Sequence, residues 1–325
     1  MASQLLGWSR IRRSSAIPFT PLLYPHHVIY LCSGSDLEGD WGLPLKAGRV
    51  KIIAFRTKLW RPGTNYLNLI AGRVEGRIKD RDLLVVSEKP LSTAMGFLFD
   101  EARINPGLLA RGIAGFWMKT IWGRILGPFT GMNDRNLERL RGYPVMEGAR
   151  HKELALMLKG FIAALKPWSE GGLDASNLPY AYCAAPLPDP ERVAQEIQDF
   201  LRRRLRVDAP VMIVDSDKTY LLGNIGLSTR DSTVPGIINL GFVSFILGRR
   251  LGLRAYATPI AYTGGPLSLK GLLRVASLAD RAMGSGAGNT VWDMAENFNT
   301  GLTEVSWDML SRIPHRPLAV VRGMF

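Results

Sequence analysis

Two short runs of this chain are apolar at every position, Leu83-Leu84-Val85-Val86 and Val211-Met212-Ile213-Val214. A strand with one wet face alternates apolar and polar residues. A strand buried on both faces reads as a continuous apolar run of about four to eight residues. Both runs therefore point to strands in the interior of a sheet. Each ends in polar chemistry, Ser87-Glu88-Lys89 after the first and Asp215-Ser216 after the second. Asp215 is accordingly predicted at the carboxyl end of its strand, the edge at which open α/β sheets commonly place ligands.

The rest of the chain arranges itself around these strands. Val50-Lys51-Ile52-Ile53-Ala54-Phe55 predicts another strand, Pro62-Gly63 a turn, and Asn65 to Ile70 the beginning of a short helix. From Asn105 to Leu165 the pattern lengthens into helix-like segments bounded at Gly127-Pro128 and Gly142-Tyr143-Pro144. There Leu154, Leu156, Met157, Leu158, Phe161, Ile162 and Leu165 read as one wide apolar stripe. Asp189-Pro190-Glu191 is a helix start, with a capping acid, proline in the first turn and a second acid beside it. The helix it opens buries Val193, Ile197, Phe200, Leu201 and Leu205 and ends in Arg202-Arg203-Arg204, where cations suit the negative pole. Gly236 to Phe242 reads equally as a strand or a helix start, Ser268 to Met283 as a helix, and Pro317 to Gly323 as a closing strand. Residues 1 to 48, rich in Pro and Gly, read as an irregular N-terminal extension. Its Arg12-Arg13 pair precedes a stretch broken by Pro18 and Pro21, a poor secretion signal.

With 325 residues and 46% hydrophobic side chains, the chain has enough apolar matter for a substantial core. A formal net charge of +13 implies an anionic partner, which leaves nucleic acid, a membrane surface or a phosphorylated small molecule open. Much of the excess falls on Arg111, Lys119, Arg124, Arg135, Arg139, Arg141, Arg150 and Lys152, and a solvated basic face is the ordinary reading of such a run. Cys32 and Cys183 make neither a Cys-x-x-Cys pair nor a disulfide framework, which fits a reducing, cytoplasmic setting. The longest apolar stretch, Gly107 to Phe129, is interrupted by Arg111, Lys119 and Arg124, so no transmembrane helix is predicted.

Chemistry concentrates in Gly172-Leu173-Asp174-Ala175-Ser176-Asn177-Leu178-Pro179. Asp, Ser and Asn before Pro are ordinary turn formers, because their side chains bond nearby backbone. They are also how a fold offers a carboxylate and hydroxyls to a metal or phosphate. The common phosphate-binding loop, Gly-x-Ser-x-Gly elbows, zinc-finger spacing and RNA-recognition strands are all missing, so nucleic-acid binding is disfavoured. His26, His27, His151 and His315 show no metal-ligand spacing, and neither cysteine has a visible activating partner. Gly284-Ser285-Gly286-Ala287-Gly288-Asn289 reads either as a loop whose amides wrap a phosphate or as a linker.

Six segments, taken in order, resemble the coenzyme F420-0:L-glutamate ligases. They are the strand and Pro-Gly turn of Val50 to Ile70; Asp82 to Gly96; Gly172 to Leu178, similar to the family's Gly-Val-Asp-Glu-Ser-Asn-Val; the helix opened by Asp189-Pro190; Asp215-Ser216, where the family has Asp-Thr; and Pro317 to Gly323. The resemblance covers residues 49 to 325 and is thin from Phe97 to Glu170 and from Lys218 to Leu267. It implies an α+β fold with a mixed-sheet core, a helical insertion over 97–170 and a homodimer.

The resemblance also implies roles. Asp174 and Asp215 fall on the positions that hold divalent cations, two Mg²⁺ or Mn²⁺ ions, and Ser216 on the hydroxyl that helps the second ion. Asn177, Lys89 and Ser92 fall on nucleotide-contacting positions, and Lys89, the cation kept by position, is implied with Asp174 and Asp215 to be catalytic. The implied reaction is γ-glutamyl ligation: a nucleotide, GTP or ATP, activates a carboxylate acceptor (F420-0 or an analogue) as an acyl phosphate, which the amine of L-glutamate attacks. Two departures stand against a simple transfer. The family's Ser-Lys-Ala-Glu-Gly is here Ser92-Thr93-Ala94-Met95-Gly96, and its arginine-bearing segment after Asp-Thr is here Asp217-Lys218-Thr219-Tyr220-Leu221-Leu222. A lone lysine cannot reproduce bidentate arginine contacts. The alternatives are a ligase for a different acceptor and a catalytically degenerate homologue that binds an anionic ligand or nucleic acid.

Overall fold

A computed structural model describes residues 20–24, 27–32 and 50–323. The Arg12-Arg13 pair lies outside the described residues. The centre of the molecule is a mixed sheet built from strands β1 (Thr20–Tyr24), β2 (His27–Cys32), β3 (Val50–Thr57) and β4 (Leu83–Ser87), while β5 (Leu98–Asp100) and β6 (Tyr182–Ala184) pair separately. It continues with β7 (Val211–Leu222), β8 (Ile225–Ser228), β9 (Ile237–Asn239), β10 (Ala255–Tyr262) and β11 (His315–Arg322). The order is β1-β2-β3-β11-β4-β7-β8-β9, with β10 also on β7. Only β4–β7 and β8–β9 are parallel among the described pairs. This is an α+β fold.

The wholly apolar runs have the cause inferred from sequence. Leu84, Val86, Val211, Ile213, Leu318 and Val320 face one core with the helices Tyr66–Val74 and Pro190–Leu205. Their neighbours Leu83, Val85, Met212, Val214, Ala319 and Val321 face a second core with the helix Leu269–Met283. Both faces of the central strands are therefore dry. The helix caps also fall where read: Asp189 accepts from the Arg192 amide at 3.0 Å, and Ser268 from the Gly271 amide at 3.1 Å. Phe200 and Leu205 are half-buried rather than fully buried at the edge of the first core.

Three expectations are corrected. Asp215 does not end its strand; β7 runs on to Leu222, held by β10 over Met212 to Tyr220 and by β8 over Thr219 to Leu222. Residues 1 to 48 are not irregular throughout, since β1 and β2 form a hairpin that extends the sheet through pairing of His27–Cys32 with β3. The stripe from Leu154 to Leu165 is not one helix. Val145–Lys159 stops at Gly160, whose φ of +80° breaks the helix, and Met157, Leu158, Phe161 and Ile162 are left exposed.

The segment between β5 and β6 does fold as helices, around a third core of Ile113, Met118, Trp122, Leu140, Leu154 and Leu173. Trp117 and Trp122 both donate their indole N–H to the Leu165 carbonyl, at 2.9 and 2.8 Å, which fastens the long helical segment to the chain leading into the Asp174 turn. No helix among the described residues is long and apolar enough to cross a membrane.

Candidate active site

The cleft follows from a fork in the sheet. β4 pairs with β7 from Val211 to Val214, and β8 pairs with the same edge of β7 from Thr219 to Leu222, because β10 occupies the opposite edge. Asp215 to Asp217 lie between, with no strand beside them on that edge. A register shift opposite Ala257 and Thr258 adds a bulge there, the device that re-aims side chains within a strand.

A cavity of about 360 Å³ opens at this fork, bordered by Lys89, Asp174, Ser176, Asn177, Asp215 and Ser216. Five of the six residues singled out in the sequence are thus together: Lys89, Asp174, Asn177, Asp215 and Ser216. Ser92 is not among the lining residues; it is buried one turn further along the helix Glu88–Ala94, its hydroxyl without a partner.

Lys89, near the start of that helix, donates to Asp174 Oδ2 at 2.6 Å and to Ser176 Oγ at 2.7 Å. Asp174 Oδ1 accepts the Ser176 amide at 2.7 Å, so the turn anticipated from composition is present and carries the site on it. The pair is only partly covered, with side-chain exposures of 19% for Lys89 and 20% for Asp174, so a ligand can reach both.

Asp215 is held from below. Its Oδ2 accepts from Arg230 Nη1 at 2.6 Å and its Oδ1 from the Ser216 amide at 2.8 Å. Arg230 is buried, bonds Glu88 Oε1 through Nη2 at 2.9 Å, and packs against Gly172 so closely that a Cβ there would stand 2.6 Å from the guanidinium carbon. With φ of +95°, Gly172 is fixed both by conformation and by that contact. Burial alone would raise the Asp215 carboxyl; Arg230 and Lys89 outweigh it and hold Asp215 below the usual range. Glu88 goes the other way, raised by burial and by Asp215 against the opposing pull of Arg230.

Asn177 is engaged with protein. Its amide nitrogen donates to the carbonyls of Ser285 and Gly288, at 3.0 and 2.9 Å, and its oxygen accepts the Ala287 amide at 2.6 Å. Those bonds lash the glycine loop over 284–289 to the Asp174 turn. The loop borders the cleft and is a wall of the site rather than a free linker.

Two lining residues, and two buried residues that support the site, escaped the sequence reading. Asp280, on the last turns of Leu269–Met283, is raised by burial, eased by Lys218 and raised further by Asp215. An acid near a helix C-terminus opposes the dipole, and that was the available signal. His315 carries a buried Nε2 without a partner, and burial, then Lys89, lowers its pKa to about 4. Arg230 and Glu88 carried no local signal, since burial and pairing across the sequence define them.

A second cavity of about 390 Å³ shares Asp174, Ser176 and Asn289 with the first. Its wall includes Tyr143, Trp168, Tyr180, Tyr182 and Trp292, and no lysine or arginine among the described residues lines it. On its wall, through Glu101, His151 and Glu170, the fold assembles what histidine spacing concealed. Glu101, His151 and Cys183 place ligand atoms within 4.8 Å of one another. His151 bonds Glu101 at 2.5 Å and Glu170 at 2.8 Å, and Glu170 pairs with the buried Lys152. Two acids and two bases close this network. Although burial opposes it, Glu170 and Glu101 raise His151 well above its ordinary value, and burial pushes the Cys183 thiol up to about 12.

A family model described as F420-0:Gamma-glutamyl ligase matches residues 54–239. An uncharacterized protein of Methanocaldococcus jannaschii is 32% identical over 281 residues, covering 82% of this chain and 94% of its own length. The coenzyme F420:L-glutamate ligase of Methanopyrus kandleri is 25% identical over 219 residues, covering 66% of this chain and 78% of its own length.

Proposed function

This chain belongs to the F420-0:gamma-glutamyl ligase family, a family of C–N bond-forming ligases, and from that premise we propose that it is a nucleotide-driven amide ligase acting on a carboxylate acceptor and an amino-acid amine. The observation that carries this reading is the meeting of Lys89, Asp174 and Asp215 with the glycine loop in one cleft at the fork of β4, β7 and β8. That combination suits phosphoryl transfer, which is mostly positioning and charge stabilisation.

The loop over 284–289 borders the cleft, and the amides of Ser285, Gly286 and Asn289, rather than those of Gly284, Ala287 and Gly288 that already bond protein oxygens, cradle the phosphates of GTP or ATP, with Asn177 setting the loop's height over the Asp174 turn. Lys89 lies within reach of the transferring phosphoryl group and moves from Asp174 to phosphate oxygen as that group enters. The acceptor carboxylate attacks the terminal phosphorus, the bond to the nucleoside diphosphate breaks, and an acyl phosphate forms. The glutamate amine then attacks the acyl carbon, phosphate leaves, and the amide remains. Asp174, Asp215 and the hydroxyls of Ser176 and Ser216 form an oxygen-rich set suited to Mg²⁺ or Mn²⁺, which fits the chemistry of the two carboxylates. Such ions supply neutralisation of phosphate charge and alignment of the displacement. Arg230 keeps Asp215 ionised for that task.

The aromatic cavity is the place for the body of the acceptor, with its carboxylate at the shared rim of Asp174 and Ser176. An aromatic wall with no described lysine or arginine, whose His151 is already paired with Glu101 and Glu170, favours a flat ring body, and this supports an acceptor that is either F420-0 presenting its ring system or another aromatic carboxylate. The protein forms a homodimer and works in the cytoplasm in this reading. The test is incubation with Mg²⁺ or Mn²⁺, L-glutamate, F420-0 and GTP or ATP, followed by mass spectrometry. A glutamate increment supports the reading; no increment and no nucleotide hydrolysis under any pairing rejects it.

A further inference from the structure

From Leu108 to Phe129 the chain forms one continuous helical segment, π-helical between Ile113 and Leu126. The i→i+5 bonding of a π-helix brings residues four or five apart onto one face. Ala110, Ala114, Met118, Trp122 and Gly127 form the buried face. On the opposite side Leu108, Phe116, Ile125 and Phe129, spaced one or two turns apart, are 87%, 61%, 55% and 50% exposed. No aspartate or glutamate occurs from Ile104 to Asn133, whereas Arg111, Lys119 and Arg124 fall among these apolar residues. The face is thus a ridge of large apolar side chains set among cations that no acid on the segment opposes, with Glu153 of the neighbouring helix reaching only its first turn, at Gly107.

We propose that this face docks on the surface of an anionic lipid bilayer, with the helix lying in the interfacial plane. Apolar side chains on a ridge flanked by Lys and Arg enter the boundary between headgroups and acyl chains, and the cations meet lipid phosphates. Spanning is not involved, since no described helix has the length and apolarity for it. A second copy of the chain is the poorer occupant. Two-fold pairing applies the same patch to itself, which would bring Arg111, Lys119 and Arg124 close to their own equivalents with no acid on the segment to neutralise them. This inference does not depend on the ligase reading.

The test is co-sedimentation of the full chain with vesicles of phosphatidylcholine plus phosphatidylglycerol, against vesicles of phosphatidylcholine alone. Binding is expected to the anionic vesicles and to fall as salt is raised. Phe116→Ser with Ile125→Ser, and separately Lys119→Glu with Arg124→Glu, should each weaken it by roughly tenfold or more, given about fivefold per cation near such a surface. Arg203→Glu with Arg204→Glu, exposed on the helix Pro190–Leu205, should leave it within about twofold. Absence of binding to anionic vesicles overturns the proposal. So does equal weakening by the Arg203 and Arg204 pair, which would make net charge the cause. A dimer by light scattering that the Phe116 and Ile125 variant separates would assign the face to a second copy instead. Unchanged circular dichroism in every variant establishes that folding is not what was measured.

Discussion

The cleft and the helical subdomain are both built around charged side chains, and they treat them in opposite ways. Under the helices, Lys152 and Glu170 are sealed from water, His151 spends both ring nitrogens on Glu101 and Glu170, and charge cancels inside the group. In the cleft, Lys89 and Asp174 pair at a similar distance but remain partly open, and His315 Nε2 has no partner at all. A network whose charges are all paired holds helices in register, even where Glu101, His151 and Glu170 border a cavity. An open one with spare polar capacity is where a ligand can exchange places with a side chain. Pairing distance alone does not separate the two; access does.

Lys152→Met should leave Glu170 buried with only His151 to oppose it and cost about 3–5 kcal/mol of stability by chemical denaturation, whether or not nucleotide is present. A loss confined to activity would remove the structural role of the closed network. Asp174→Ala should do the reverse, lowering ligase turnover by roughly two to three orders of magnitude with a melting temperature within a few degrees of the parent. A collapse of stability would make Asp174 another architectural charge.

His315 sharpens the same contrast through pH. Its folded pKa lies below the unfolded value, so its contribution is present above about pH 6.5 and is lost as pH falls toward 4. Because the residue is half-buried overall, the loss should be about 1–3 kcal/mol. His315→Asn should flatten that part of the stability profile; an unchanged profile would show that the ring titrates alike in the folded and unfolded chains. The smallest effect belongs to Asn177→Gly, which keeps the left-handed backbone at φ of +56° but removes the side chain holding the glycine loop. The apparent affinity for nucleotide should weaken by about tenfold, with global stability lowered by about 1 kcal/mol. An unaltered affinity would detach the loop from the nucleotide.

Much of this was legible in the sequence where the cause is local. Unbroken apolar runs announced β4 and the first half of β7, and Asp189 and Ser268 announced helix starts, because burial on two faces and capping leave direct marks. The Asp174 turn and its partner Asp215 were legible as chemistry. What failed depended on distant partners. Asp215 to Thr219 break the apolar pattern, yet the strand continues because β10 and β8 supply its hydrogen bonds. Gly160 was hidden among apolar neighbours whose side chains face solvent. Arg230, the group that holds Asp215, looks like any arginine until Glu88 and Gly172 are folded around it. Ser92 shares the helix of Lys89 but sits in the interior, which position along a motif does not reveal.

Calorimetric titration of GTP and of ATP into the protein, with and without Mg²⁺ and repeated on Asp174→Ala and Asp215→Ala, decides whether these two carboxylates hold a metal-bound nucleotide. Nucleotide binding should require the metal and disappear in both variants while the fold persists. Binding that ignores the metal and both substitutions, and weakens steeply with salt, would mean that basic surface charge alone holds the nucleotide and would contradict the account.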